Sequence, residues 1–385
     1  GTYAAGVCVA IEKGEIFNCF WDFEASGLSV GVNLPYSFEG SVKNVWGKST
    51  AEMQSGEMFK KAGWGLSDFG SGVCGWYFED GEYPELGFEK DGVVFLPDVK
   101  GMSSGEAQAA IGEAGLSVGG VYDVNSMSFA AGEVVGVSGC IGGCVDVNTV
   151  LDIYVSAGSD GDGSADKPYE VSCREDLEAV NDDLNADYVL SRDIYLGYEK
   201  VYGNAVIGMD TDGEYSGFQG TIFSGTFDGD GHIISNLVIN TAEEYDGIGL
   251  FGVVMEYGEV LNLGLEDVRI VSGNGASLVG GICGESGGDI SGCYVSGSIW
   301  GVNSRCVGGV CGYVHEGEII NCYSSVDVEG DTYVGGICGN NYLYTIYGPE
   351  TGIISKCYNV GVVRGRRYVG SICGRGYVDN VNFCY

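Results

Sequence analysis

The sequence predicts a mainly β chain: a parallel β-helix, or β-solenoid, with a small α+β unit beside it. Three observations carry that expectation. Of 385 residues, 69 are glycine and only five proline, yet 45% are hydrophobic and 25 are tyrosine. Collagen would need glycine at every third position with abundant proline, and flexible low-complexity chain would not carry this much apolar and aromatic side chain. Second, Gly-Gly-Ile-Cys-Gly at 280–284 returns as Gly-Gly-Val-Cys-Gly at 308–312, Gly-Gly-Ile-Cys-Gly at 335–339 and Gly-Ser-Ile-Cys-Gly at 370–374. Third, each copy is followed by a Cys-Tyr pair: Cys293-Tyr294, Cys322-Tyr323, Cys357-Tyr358 and Cys384-Tyr385.

The first cysteines of the copies are 28, 27 and 35 residues apart, the last interval lengthened by an insertion around Tyr342 to Pro349. A period near 28 fits one turn of a three-sided coil. Within a repeat, short β-type runs such as Ile319 to Tyr323 and Ser325 to Val328 alternate with glycine corners. Such strands cannot bury an apolar face alone, so successive coils must stack and like residues superpose. Glycine supplies the positive φ and the close backbone approach that a tight coil requires. A glycine-rich sandwich would have no reason to repeat a five-residue motif in register.

These repeats resemble the GLUG-motif family, whose units read Gly-Gly-Leu-Val-Gly followed by Asn-Cys-Tyr; this chain departs by placing cysteine where a small apolar residue is usual. Upstream, Asp166-Lys167-Pro168-Tyr169, Leu177, Tyr188-Val189-Leu190, Asp193-Ile194, Phe227-Asp228-Gly229-Asp230-Gly231-His232 and Ile234-Ser235-Asn236-Leu237 fit the same family's opening segment. The resemblance covers about 159–385 and implies a parallel β-helix on exported surface proteins, without implying an enzyme.

Residues 93–158 read differently. Ser103-Ser104-Gly105-Glu106 is a capping box, Ala107, Ala110, Ile111 and Ala114 follow at helical spacing, and Gly115 supplies a stop. Strand-like runs at Gly115 to Val118, Gly132 to Val135 and Val150 to Val155 complete a unit whose order of words is similar to a PASTA domain. That resemblance implies a cell-wall-facing spacer, with wall glycan as a possible ligand. Residues 1–92 begin inside a repeat: Ala5-Gly6-Val7-Cys8 and Asn18-Cys19-Phe20-Trp21-Asp22 match its two halves. A second capping box, Ser49 to Glu52, opens a helix expected to run to about Ala62, and the whole resembles the closing segment of a GLUG solenoid.

Fifteen cysteines with only two histidines favour disulfides in an oxidising compartment over metal sites. The expected pairs lie within a coil: Cys283/Cys293, Cys311/Cys322, Cys338/Cys357, Cys373/Cys384 and Cys8/Cys19, with Cys140 and Cys144 pairing locally; a ladder of buried free thiols is the competing arrangement. Asp160, Asp162 and Asp166 alternate with glycine and serve as a candidate calcium site, weighed against a solvated hinge, since the twelve-residue calcium loop is not met. Asp228, Asp230 and His232 read as corner chemistry rather than as an acid–base group. Scattered acids and scarce Lys and Arg argue against a carbohydrate-cleaving β-helix, and no catalytic residue is assigned. No Asn-x-Ser/Thr sequon occurs.

The formal net charge of −36 argues against nucleic acid or anionic lipid as partner, and no uninterrupted apolar run reaches the length of a membrane span. Without an initiator Met or a leader of its own, the chain reads as a processed or excerpted piece of an exported protein. The charge is uneven. Lys356, Arg364, Arg366, Arg367 and Arg375 face one acid, Asp379, in the final 30 residues, whereas Glu12, Glu15, Asp22 and Glu24 outnumber Lys13 in the first 24. Complementary ends that are both uncapped predict a head-to-tail homopolymer in an extracellular surface fibre, the last coil of one subunit receiving the first coil of the next. Gly1, Tyr3, Cys8, Glu12, Glu15, Arg364, Arg366, Arg367, Arg375, Phe383 and Tyr385 are the expected contact residues. The distance from Cys384 to a following Cys8 falls about seven residues short of a coil interval, so the joint is either noncovalent or a cut within a longer chain. A monomeric adhesin or wall-binding module on a β-helix stalk is the alternative.

Overall fold

The structure, a computed structural model, describes residues 13–27, 39–54, 66–67, 76–77, 82–83, 85–86, 92–138, 144–197, 200–212, 217–241, 243–272, 278–301, 303–345, 348–377 and 380–385. Compactness divides the chain into two units: Gly1–Asp98 with Ala109–Val118 and Gly139–Leu151, and Val99–Gln108 with Gly119–Ser138 and Asp152–Tyr385.

The second unit is dominated by a parallel β-solenoid. Its longest ladder is an eight-stranded sheet, Tyr169–Val171, Tyr188–Leu190, Thr226–Asp228, Glu259–Leu261, Asp289–Ser291, Glu318–Ile320, Ile353–Ser355 and Val381–Asn382, every neighbouring pair parallel. Seven rungs at the usual strand spacing make it about 34 Å long. A second ladder runs from Ile194–Tyr195 to Tyr358–Asn359, a third through Phe251–Val254, Cys283–Ser286, Cys311–Val314, Cys338–Asn340 and Cys373–Arg375, and a fourth through Leu278–Val279, Cys306–Gly308, Tyr333–Gly335 and Val369–Gly370. A complete coil therefore contributes to four ladders, not to the three sides expected from its length. The reason is the Gly-Gly pair, which separates the fourth ladder from the third (Val307 and Gly308 lead into Gly309, Val310 and then Cys311).

Parallel register fills the interior with columns of like side chains. Tyr188, Phe227, Val260, Ile290, Ile319 and Ile354 stand in one column; Ile239, Ile270, Ile299 and Val328 stand in another; Val279, Val307 and Val334 form a third. All are buried. Near its N-terminal end the core is aromatic, with Phe223 and Phe251 rings 5.0 Å apart and Phe227 set edge-on to Phe251 at 5.5 Å.

The glycines of the repeat are steric necessities. A Cβ on the first glycine would meet the carbonyl of the cysteine three residues on, at 2.2 Å for Gly280, 2.0 Å for Gly308, 2.0 Å for Gly335 and 2.1 Å for Gly370. On the second it would meet the carbonyl of the next coil, Gly309 at 2.6 Å for Gly281 and Gly336 at 2.1 Å for Gly309. On the third it would meet backbone of the preceding coil, as at Gly312 against Gly284. Ser371, in the coil with no described coil stacked beyond it, occupies the second position and is exposed. Coil corners just before the Cys-Tyr pairs are left-handed: Gly292, Asn321, Lys356 and Phe383 all have φ between 53° and 66°, and Asn262 holds the equivalent corner one coil earlier at 48°. The insertion between the third and fourth repeats is an antiparallel hairpin, Tyr342–Thr345 with Gly348–Thr351.

The N-terminal end of the solenoid is covered. Cys173 caps the helix Arg174–Ala179, accepting at Sγ from Asp176 N. The fully buried Asp176 carboxylate binds on both sides. Its Oδ1 accepts from Ser126 Oγ (2.8 Å), Met127 N (3.0 Å) and Ser128 N (2.9 Å). Its Oδ2 accepts from Ser172 N (3.1 Å) and Ser172 Oγ (2.9 Å). In the region expected to be PASTA-like, the capping box forms between Ser103 and Glu106, the helix runs Ser104–Glu113, and Gly115 ends it at φ 82°. A three-stranded sheet follows, ordered Ser117–Val124, Val150–Ser156, Val134–Val137. Segments 119–138 and 152–158 of this region belong to the same compact unit as the solenoid.

In the first unit, Lys13–Asp22 pairs in parallel with Glu39–Lys48 at an offset of 26 residues, close to one coil. The Ser49/Glu52 capping box is present and opens the helix Thr50–Met53. Its expected continuation to Ala62 lies outside the described residues.

Replacing Gly308 by alanine should cost about 2–3 kcal/mol, because backbone rather than a movable side chain opposes the new methyl. Gly203→Ala, where the added Cβ meets nothing within 4 Å, should be neutral or slightly stabilising in the same thermal unfolding series. Asp176→Ala, which removes the acceptor of five hydrogen bonds, should cost about 3 kcal/mol or more, with Asp176→Asn in between.

Candidate functional site

The features that distinguish this solenoid chemically are its cysteine columns, its tyrosine stack and the face of its final coil. Two columns of thiols run along the axis. In the third ladder Cys283 is in register with Cys311, Cys311 with Cys338, and Cys338 with Cys373. The Cys283 and Cys311 sulfurs lie 3.4 Å apart. At the left-handed corner stand Cys293, Cys322, Cys357 and Cys384, each donating to a carbonyl of the coil before it (Val260, Ile290, Ile319 and Ile354). All eight thiols are free. The two members of each expected pair (Cys283/Cys293, Cys311/Cys322, Cys338/Cys357, Cys373/Cys384) stand in these two separate axial columns. Stacking brings like residues of successive coils together, while the two cysteines of one coil sit on different ladders. Burial pushes the Cys311 and Cys338 thiols up. Cys8, Cys140 and the side chain of Cys144 lie outside the described residues; Cys19 pairs in register with Val45.

The residue after each corner cysteine points outward. Tyr294 and Tyr323 stack at 4.9 Å with ring planes 1° apart, and Tyr323 and Tyr358 at 5.1 Å and 5°. Tyr294 also donates to Glu266 Oε1 at 2.7 Å. Two further coil-to-coil pairs are Tyr333 with Tyr368 and Tyr342 with Tyr377. Sequence reading found the Cys-Tyr pairs but not that one residue type builds the interior and the other the exterior of the same corner.

The final coil exposes a run of large apolar side chains: Tyr358, Val360, Val362, Tyr368, Val369, Tyr377, Phe383 at 77% and Tyr385 at 86%. Its basic residues divide into two groups. Arg366 binds back onto the preceding coil, with Nε 2.9 Å from Asp331 Oδ1. Arg375 lies over the rings of Tyr333 and Tyr342, 5.3 and 5.0 Å from their centroids. Arg364 pairs in register with Glu329, and Lys356, Arg364 and Arg367 all have exposed side chains. Of the expected contact residues at the other end, Gly1, Tyr3, Cys8, Glu12 and the Glu15 side chain lie outside the described residues.

The acidic turn at 160–166 is closed on itself. Asp162 Oδ1 accepts from Ser164 N (3.1 Å) and Oγ (2.6 Å), which hold its carboxyl below the usual range, and Asp160 lies 4.0 Å from Lys167 Nζ. Among the described residues no three His, Cys, Asp or Glu side chains converge as a metal site. Asp228 Oδ1 accepts from Asp230 N and Asn262 Nδ2, and His232 reaches Asp193 at 3.1 Å, so these groups serve the corner they occupy. A second His–carboxylate pair joins coils: His315 Nδ1 is 3.3 Å from Glu285 Oε1, an ion-pair contact without hydrogen-bond alignment. Burial raises the Glu285 carboxyl, against the opposing pull of His315.

The coil spanning the fourth-ladder strand at 306–308 to the long strand at 323–330 decides the relationship. Residues 303–329 match the GLUG motif. The matched stretch is one complete coil of the parallel β-solenoid. Over 161 residues, 40% of this chain, it is 32% identical to Halomucin of Haloquadratum walsbyi (strain DSM 16790 / HBSQ001), of whose length the match covers 2%. No solved structure matches the chain. No helix among the described residues is long and apolar enough to cross a membrane.

Because the folded Glu285 carboxyl titrates above its unfolded value near 4.5, the folded state holds that proton longer. Stability should therefore fall as pH rises from about 4.5 through the raised pKa. Glu285→Gln should flatten that limb of the stability–pH curve measured by urea unfolding.

Proposed function

We propose that the chain is an extracellular structural protein of the cell surface, in which stacked GLUG-type coils form a rigid rod joined head to tail by β-helix completion. The surface reading is supported by the similarity to a protein named Halomucin and by a fold that spends its chemistry on stacking. Among the described residues the acids and histidines are engaged in corners and coil-to-coil pairs, not gathered at a cleft.

One observation carries the head-to-tail reading. The coil formed by residues 353–385 presents strand edges in all four ladders together with a group of exposed aromatic and branched side chains. Such an edge pairs readily with another strand. The acid-rich first 24 residues of another copy are complementary to the exposed cations of this coil, Lys356, Arg364 and Arg367. Completion would extend the tyrosine stack beyond Tyr358 and cover Phe383 and Tyr385.

Negative-stain electron microscopy with analytical ultracentrifugation tests this. Rods that lengthen with concentration are expected, and Arg364→Glu with Arg367→Glu should raise the concentration needed for assembly at least tenfold. Arg366 is left intact because it holds Asp331. Dispersed rods of one subunit's mass at every concentration would overturn the head-to-tail joint and leave a monomeric stalk.

A further inference from the structure

Tyrosine hydroxyls donate to carboxylates at several places, and one of these pairs has surroundings the others lack. Tyr83 donates to Asp22 Oδ2 at 2.6 Å, Tyr202 to Glu178 Oε1 at 2.9 Å and Tyr294 to Glu266 Oε1 at 2.7 Å. Tyr257 has Glu256 beside it but is 84% exposed. Tyr202 carries a cation: Lys200 Nζ lies 4.8 Å from its ring centroid and 3.0 Å from Glu178 Oε1. Positive charge over a ring opposes removal of an electron from it. Of these tyrosines, Tyr294 alone stands in a parallel ring stack, against Tyr323, which in turn stacks on Tyr358. Among the described residues no cation lies over those three rings.

The ladder builds this arrangement from the backbone. Gly264, Tyr294, Tyr323 and Tyr358 are successive register partners. With no side chain at Gly264, the Tyr294 ring leans back over the preceding coil; a Cβ on Gly264 would come within 2.6 Å of Tyr294 Cζ and 2.7 Å of its Oη. Glu266, two residues along the same strand, is thereby reached. Tyr294 and Tyr323 are half-buried on the flank of the rod, each between paired strands on both sides, so further coils stacked on either end leave them as they are. Partial burial, and then the bond to Glu266, pushes the Tyr294 hydroxyl up. Near neutral pH it is a phenol, and its oxidation has to release a proton.

We propose that Tyr294 is an oxidation site at which the rod gives single electrons to small-molecule radicals, Glu266 taking the phenolic proton and the stacked tyrosines sharing the electron deficit. A radical such as nitrogen dioxide gains one electron and becomes nitrite; Tyr294 becomes a neutral phenoxyl radical and Glu266 a carboxylic acid. An electron from Tyr323 then restores Tyr294, Glu266 returns its proton, and Tyr323 releases its own proton to water. An external one-electron reductant such as ascorbate ends the sequence by supplying an electron and a proton. Passing the proton along a hydrogen bond already formed avoids a phenol cation in a half-buried place.

Nitration mapping of the whole chain tests this. Peroxynitrite in bicarbonate buffer, at a limiting dose, supplies carbonate and nitrogen dioxide radicals. A second nitrogen dioxide marks each phenoxyl ring as nitrotyrosine, and peptide mass spectrometry assigns the sites. Tyr294 and Tyr323 are expected to be nitrated ahead of both Tyr257 and Tyr202, a ranking read on the wild-type chain. Glu266→Gln keeps an acceptor for the hydroxyl but does not take its proton, and should lower nitration of Tyr294 and Tyr323 about tenfold while leaving Tyr257 unchanged. Tyr294→Phe keeps the stacked ring and should lower nitration at Tyr323. A ranking that follows exposure, with Tyr257 first, or equal nitration of Tyr294 in Glu266→Gln, would overturn the proposal.

Discussion

Everything in the solenoid depends on one spacing: backbone laid on backbone at about 4.8 Å, coil after coil, with no side chain in the way at three positions of each repeat. Gly308 faces the Cys311 carbonyl of its own coil, Gly309 the carbonyl of Gly336, and Gly312 that of Gly284. Once those contacts are allowed, the backbone groups of each coil pair with the coils on either side, and like residues fall above like residues. The apolar columns, the thiol columns and the tyrosine stack are consequences of that register. Their energetic contribution comes from area removed from water, but their order comes from the glycines.

How much of this could be read beforehand follows from the same geometry. Periodicity along the chain is visible in a sequence, so the repeat, its corners and its β character were legible from Gly-Gly-Ile-Cys-Gly and the Cys-Tyr pairs. Neighbours across coils are not adjacent in sequence. Pairing Cys283 with Cys293, ten residues away, therefore overlooked Cys311, which is 28 residues away in sequence and in contact in space. The fourth ladder was hidden for a related reason: a Gly-Gly pair reads as a corner from the sequence alone, and only backbone pairing shows strands on both sides of it. The capping boxes at Ser49 and Ser103 were legible because both partners lie within one turn of helix. Asp176 was not, since its donors come from Ser126 to Ser128 and from Ser172, segments whose meeting no local signal announces.

The chemistry of the chain is distributed accordingly. Asp162, Asp228 and Asp193 are spent on turns and corners, Glu285 and His315 on joining coils, Arg366 and Arg375 on binding the final coil to its predecessor. Among the described residues, that coil also carries exposed aromatic side chains, strand edges and the exposed cations Lys356, Arg364 and Arg367.

Hydrogen–deuterium exchange followed by mass spectrometry tests the stacking account most directly. If coils are held by register with their neighbours, amides of Thr226–Asp228, Glu259–Leu261, Asp289–Ser291 and Glu318–Ile320 should be strongly protected and open together, with protection falling away through Ile353–Ser355 to Val381–Asn382. Independent exchange of these segments, or a final rung as protected as the interior, would contradict it.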